Sequence, residues 1–71
     1  MAMDNTKTGR LLSPQQVASM LLINRQTLAI WRHQKRGPTY IKLGGAVRYR
    51  LNDIERWIDD NTINHNSVEA I

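Results

Sequence analysis

Apolar positions along the chain change their period twice, from helical to alternating and back, and each change marks a new kind of element. Val17, Met20 and Leu21, with Ala18 as a small contact, recur at i, i+3, i+4 spacing, which is one face of an α-helix. Ser13-Pro14-Gln15-Gln16 stands in front of them. Ser13 accepts from the free backbone N–H groups, Pro14 suits the first helical position, and Gln16 completes a capping box. Leu11 and Leu12 lead into this start as a short extended segment, and the helix is expected to end near Leu22. Asn24 is the next N-cap. It opens a second helix from Arg25 to about Lys35, with Leu28 and Trp31 facing the first. Gly37-Pro38 is expected to stop it, because Gly accepts left-handed φ and Pro cannot continue the ladder.

From Tyr40 the period falls to two. Tyr40, Ile41, Lys42 and Leu43 precede Gly44-Gly45, and Ala46, Val47, Arg48, Tyr49 and Arg50 follow it, a β-hairpin signal. A two-residue loop at Gly44-Gly45 sets Lys42 beside Val47. A three-residue loop over Gly44 to Ala46 pairs Leu43 with Val47, Lys42 with Arg48 and Ile41 with Tyr49. Directly opposed residues share a face, so only the longer loop separates an apolar face from a basic one. It is favoured, although it asks Ala46 to accept a left-handed conformation. By the same parity Tyr49 lies inside, and Tyr40 is ambiguous. A last helix begins around Leu51 to Asp53, with Leu51, Ile54, Trp57 and Ile58 as its buried stripe and Asp53 and Glu55 near the positive end of its dipole.

Helix, helix, hairpin, helix is the outline of a winged helix-turn-helix, mainly α with a small β-hairpin. The domain is expected over residues 11–59. Residues 1–10 read as a flexible basic arm and residues 60–71 as a flexible tail. At 71 residues such a domain buries only about 60% of its unfolded surface. Trp31 and Trp57 are therefore read as core, not as stacking platforms. Cysteine is absent, which excludes a disulfide framework or thiolate metal site and fits a reducing cytoplasm. No apolar run approaches the roughly 20 residues that span a bilayer, so no membrane is expected as a partner.

Charge adds the functional direction. Between Asn5 and Asn52 stand Lys7, Arg10, Arg25, Arg32, Lys35, Arg36, Lys42, Arg48 and Arg50, and no carboxylate. Such a block repels itself, and a polyanion is the usual reason to keep it. The second helix presents Arg25, Gln26, Ala29, Arg32, His33 and Arg36 outward. Arg25 and Gln26, at its start, suit bidentate pairing with guanine and adenine. Thr27, Arg32, Lys35 and Arg36 suit phosphates, which fix register and supply affinity. Lys42, Arg48 and Arg50 form an outward row on the wing, and Gly44 and Gly45 keep its tip slim. Each basic residue alone has a plainer role: Lys35 and Arg36 complement a helix dipole, and basic residues on a hairpin protect its edge. Three basic rows without an acid among them point to double-stranded DNA.

Catalysis is not expected. His33 and His65 are isolated, and Asp59-Asp60 lies at a helix end with no dry pocket in which carboxylates could converge. No metal or cofactor is implied.

Thr27-Leu28, Trp31-Arg32, Gly37-Pro38, Tyr40-Ile41-Lys42-Leu43-Gly44, Val47-Arg48-Tyr49-Arg50, Asp53-Ile54 and Trp57-Ile58 resemble the excisionase-type helix-turn-helix domains. These belong to the MerR-like winged-helix group and include recombination directionality factors of phages and mobile elements. The resemblance covers about residues 11 to 59. It implies that the second helix enters the major groove and the wing contacts flanking backbone, with Arg25, Gln26 and Thr27 on the helix and Lys42 and Arg48 on the wing. Relatives often carry a basic residue or Gly where Ala46 stands, so fewer tip contacts are expected here. Many have Ser in place of Asn24, which caps equally well. The longer MerR-type regulators add a dimerisation helix and an effector domain; neither is read in this chain, so ligand sensing is not expected.

The resemblance further implies a DNA-bending factor that binds repeated sites beside an attachment site and turns a separate integrase toward excision. The alternative is a small transcriptional regulator at a promoter. Further copies side by side on DNA, or an integrase, are the expected protein partners, in the bacterial nucleoid or in the host cell of a phage or mobile element. The acidic end from Asp53 to Glu69 is a candidate contact for either.

Overall fold

The computed structural model describes residues 9–64. Most of the arm expected over residues 1–10, and the tail from residue 65 on, lie outside the described residues. In chain order the elements are β1 (Leu11–Leu12), α1 (Pro14–Leu21), α2 (Arg25–His33), β2 (Ile41–Leu43), β3 (Ala46–Arg50) and α3 (Leu51–Asp60). This is a winged helix-turn-helix: three helices and a three-stranded antiparallel sheet of order β1-β3-β2.

The buried core is Leu12, Val17, Ala18, Leu28, Tyr49 and Ile54. It draws on every element except β2. Leu28, Tyr49, Ile54 and Val17 are fully buried, each aliphatic one stabilising by about 1.5–3 kcal/mol. Leu21, Ile23, Trp31, Val47 and Leu51 pack around them.

α1 begins as its sequence requires. The Ser13 hydroxyl accepts from the Gln16 N–H (3.1 Å) and Gln16 Oε1 from the Ser13 N–H (2.8 Å). Met20, expected in the buried stripe, is instead 45% exposed. A helix this short fills its contact line with Val17, Ala18 and Leu21, and Met20 falls to the flank. The helix closes on Leu22, at φ 57° and ψ 42°, with the Ile23 N–H donating to Ala18 O and the Leu22 N–H to Ser19 O. This is the Schellman arrangement, usually completed by glycine. Leu22 is 89% exposed, so it has little packing to offset a left-handed backbone that costs a non-glycine roughly 1–2 kcal/mol. Leu22→Gly recovers that strain against about 0.5–1 kcal/mol of extra unfolded-chain entropy. The net expectation is a thermal midpoint a few degrees higher, read by circular dichroism; a lower midpoint would mean that Leu22 makes a stabilising contact.

α2 stops earlier than expected, at His33 and not near Lys35. Lys35 adopts φ 60°, the Arg36 N–H donates to Trp31 O (2.8 Å) and the Lys35 N–H to Arg32 O (3.1 Å). The helix thus ends in a second Schellman arrangement before Gly37-Pro38 is reached. Gly37 has a different task. At φ +88°, a Cβ on it would stand 2.8 Å from Trp31 Cε3 and 3.0 Å from Trp31 Cβ, so only glycine lets the chain pass this ring. Trp31 packs against the core, and its ring meets Trp57 of α3 at 5.5 Å between centroids.

The favoured hairpin register is overturned. Ile41 pairs with Arg48, Lys42 with Val47 and Leu43 with Ala46, which leaves a two-residue loop, Gly44-Gly45. Gly44 takes the left-handed φ of +66°, so Ala46 is spared it, and positive φ at the first loop position is what tight hairpin turns with leading glycine use. The parity argument assumed that both strands of the hairpin bury a common face. Only β3 does so, through Tyr49, whose partner across the sheet is Leu12 of β1. β2 buries nothing in the core, so no penalty falls on Lys42 for sharing a face with Val47.

α3 follows β3 without a loop. No side chain caps it; the Leu51 N–H donates instead to Arg10 O at 2.8 Å. Ile54 is buried as expected, but Ile58 is 39% exposed, because the short domain covers the helix only as far as Trp57. Its end is closed by Asn61 Nδ2 donating to Trp57 O and Thr62 Oγ1 to Ile58 O, both at 2.8 Å.

Candidate nucleic-acid interface

Three residues, Leu22 to Asn24, separate α1 from α2, and the second cap is built as the sequence implies: Asn24 Oδ1 accepts from the Gln26 N–H at 3.2 Å. The tight turn brings the N-termini of both helices to one side of the molecule. There Arg25, Gln26, Ala29 and Arg32 line an open cleft with Ser13, Gln15 and Val47. Arg25 Nη1 donates to Gln15 Oε1 at 3.3 Å, so a residue of the first helix holds the guanidinium at the mouth of the cleft. Gln15 escaped the sequence reading: its partner lies ten positions away, and nothing local marks it beyond membership of a helix start.

Ala29 and Arg32 continue into a shallow depression with His33, Tyr40, Lys42, Gly45 and Val47. The revised register carries Lys42 here. Arg32, Lys35 and Arg36 line a third depression with the Gly37–Tyr40 segment, and Arg36 sits with its guanidinium carbon 5.6 Å from the centre of the Trp31 ring. Gly44 stands at the wing tip, where a Cβ would meet nothing within 4 Å.

Not every expected site residue joins this surface. Thr27 is half-buried and lines none of the three depressions. Arg48 and Arg50 alternate with Val47 and Tyr49 along β3, which puts them on the opposite face of the sheet from Lys42. The single outward row of Lys42, Arg48 and Arg50 is therefore split. Arg48 Nη1 donates to Val47 O (2.7 Å), and Arg50 Nη1 lies 3.7 Å from Asp53 Oδ2. That last pair is partly exposed and contributes about 1 kcal/mol at most.

No carboxylate lines any of the three depressions. The acids of the described residues, Asp53, Glu55, Asp59 and Asp60, are all on α3. What remains is a surface of guanidinium, ammonium and amide donors along a helix about 10–12 Å wide, which fits a B-DNA major groove of about 12 Å. Among the described residues no group of three or more His, Cys, Asp or Glu is placed to hold a metal ion, and no helix is long and apolar enough to cross a membrane.

Comparison with curated proteins and with solved structures returned no match. A family model described as a helix-turn-helix domain matches residues 11–62, a span that takes in every strand and helix and the whole cationic surface. Membership implies binding to double-stranded DNA. The chain belongs to the helix-turn-helix domain family.

Proposed function

We propose that this protein is an excisionase-like recombination directionality factor, one that binds duplex DNA beside an attachment site and bends it in favour of excision by a separate integrase. The observation that carries the binding mode is the acid-free surface that runs from Arg25 and Gln26 at the start of α2, past Ala29, Arg32 and Val47, to Lys42 of the wing. α2 lies in the major groove with its N-terminal side chains toward base edges. Arg25 reads guanine and Gln26 adenine, each through a bidentate pair. Lys42 reaches a flanking phosphate, and Lys35 and Arg36 anchor the other end of the helix. The directionality role is supported by the ordered motifs shared with excisionase-type domains, from Thr27-Leu28 through Trp57-Ile58. One such unit touches few base pairs, so specificity comes from several copies side by side, and the energy of their contacts is spent in deforming the DNA between them.

The test is capture of sheared source-genome DNA by the purified protein at near-physiological salt, followed by sequencing. Enrichment at clustered repeats next to an integrase attachment site supports the proposal. Enrichment confined to promoters replaces it with transcriptional regulation, and no enrichment over input leaves only non-specific charge. Within the interface, Lys42→Ala is expected to weaken all duplexes alike and to reduce the slope of log affinity against log salt by about one unit. A salt titration with an unchanged slope removes Lys42 from the phosphate contacts.

A further inference from the structure

Arg32 makes contacts that a simple phosphate ligand does not need. Its Nη1 donates to the Tyr49 hydroxyl at 2.8 Å. Its guanidinium carbon stands 5.9 Å from the centre of the Tyr40 ring, and the Tyr40 and Tyr49 rings lie 6.2 Å apart, tilted at 54°. Tyr49 is a β3 residue with a fully buried side chain, and Tyr40 leads directly into β2. One side chain of the groove-facing helix thus grips both strands of the wing. β3 is seated by Tyr49 and Val47, whereas β2 adds nothing to the core and is held through its pairing with β3, and the loop glycines have open space around them.

We propose that Arg32 is a positioning residue that sets the angle and distance of the wing relative to α2, so that Lys42 meets the backbone while Arg25 and Gln26 are in the groove. This rests on the DNA-binding reading for its consequence, but the clamp itself is a property of the free protein. Arg32 has five N–H donors in a planar fork; one is held by Tyr49, and the cation stands over the Tyr40 ring, so the side chain is restrained from two sides. The guanidinium links α2 to both sides of the hairpin, and its loss loosens β2 and the tip while Tyr49 and Val47 keep β3 on the core.

Tyr49→Phe removes only the hydroxyl that accepts from Arg32 and keeps the buried ring. Arg32→Met breaks the same link from the other side and serves if the first variant fails to fold. The chain has no cysteine of its own, so Q34C and G45C place one spin label just past α2 and one at the wing tip, where Gly45 has room for a side chain. The probe is a duplex selected from a random library by the unaltered protein. The expected result is a narrow inter-label distance distribution in the parent that broadens in either variant with little change in thermal midpoint. Lys42→Ala, costing the parent several-fold in affinity, should cost less than twofold once Tyr49→Phe is present. An unchanged distance distribution, or an equal Lys42→Ala penalty in both backgrounds, overturns the clamp. So does Arg32→Ala lowering the salt slope by one unit while the labels stay in place, which makes Arg32 an ordinary phosphate ligand. Should the parent select no duplex at all, DNA binding falls, and the label distances in the free protein still decide for or against the clamp.

Discussion

Gly37→Ala is expected to destabilise the domain by about 2–5 kcal/mol. A left-handed backbone costs alanine roughly 1–2 kcal/mol, and forcing a methyl into packed surroundings costs about 1–3 kcal/mol more. Relief is blocked on the Trp31 side. One of the atoms in the way is Trp31 Cβ, which cannot swing aside, and the others belong to a ring in contact with both Trp57 and the Arg36 guanidinium. A domain of this size has a total stability of only about 4–10 kcal/mol, so the thermal midpoint should fall by more than about 10 °C. Tryptophan fluorescence is the natural probe, since Trp31 is the residue displaced. Gly45→Ala is the control: its φ is not in the left-handed range and a Cβ there meets nothing within 4 Å, so it should melt close to the parent. If the two variants melt together, the close passage of the chain over Trp31 is not what position 37 requires.

The second large effect concerns recognition. Arg25→Ala should lose roughly 1–3 kcal/mol on the cognate duplex and much less on random DNA, because a bidentate pair to guanine exists only at the right base. Gln15 strengthens the expectation: by holding the guanidinium at the cleft mouth it lowers the side-chain entropy lost on docking. Competition between cognate and random duplexes at one fixed salt concentration measures the difference directly. Equal weakening of both would reassign Arg25 to the backbone and leave Gln26 as the base-reading residue at the start of α2.

These two predictions come from different levels of information. The expectation for Arg25 comes from sequence alone: its position one step past an N-cap and its place in an acid-free block are both linear facts. The role of Gly37 was misread as that of a helix stop. Its neighbour Trp31 is only six positions away, yet nothing in the linear pattern says that the chain doubles back over that ring. Lys35, with its left-handed backbone, ends the helix without help from glycine, an outcome that residue preference alone disfavours. Arg32 is the sharpest case. Its helical position marks it as outward and basic, but its hydrogen-bond partner is seventeen residues away on another element.

The linear chain specifies the helix starts at Ser13 and Asn24, most of the helical stripes though not Met20 or Ile58, the presence of a hairpin and the location of the positive charge. Caps and periodicities act within a few residues, so local preference is enough to specify them. The hairpin register, the placing of Lys42 beside Ala29 and Arg32 of α2, the turning of Arg48 and Arg50 to the other face, and the contact of Arg32 with Tyr49 arise only in the folded chain. Register depends on which strand face is covered, and here the covering comes from distant parts of the chain: β1 pairs with β3 and seats Leu12 beside Tyr49. A slip of one residue reverses every side chain of a strand. The face on which Lys42 of β2 lies was therefore settled by a two-residue strand some thirty positions before it.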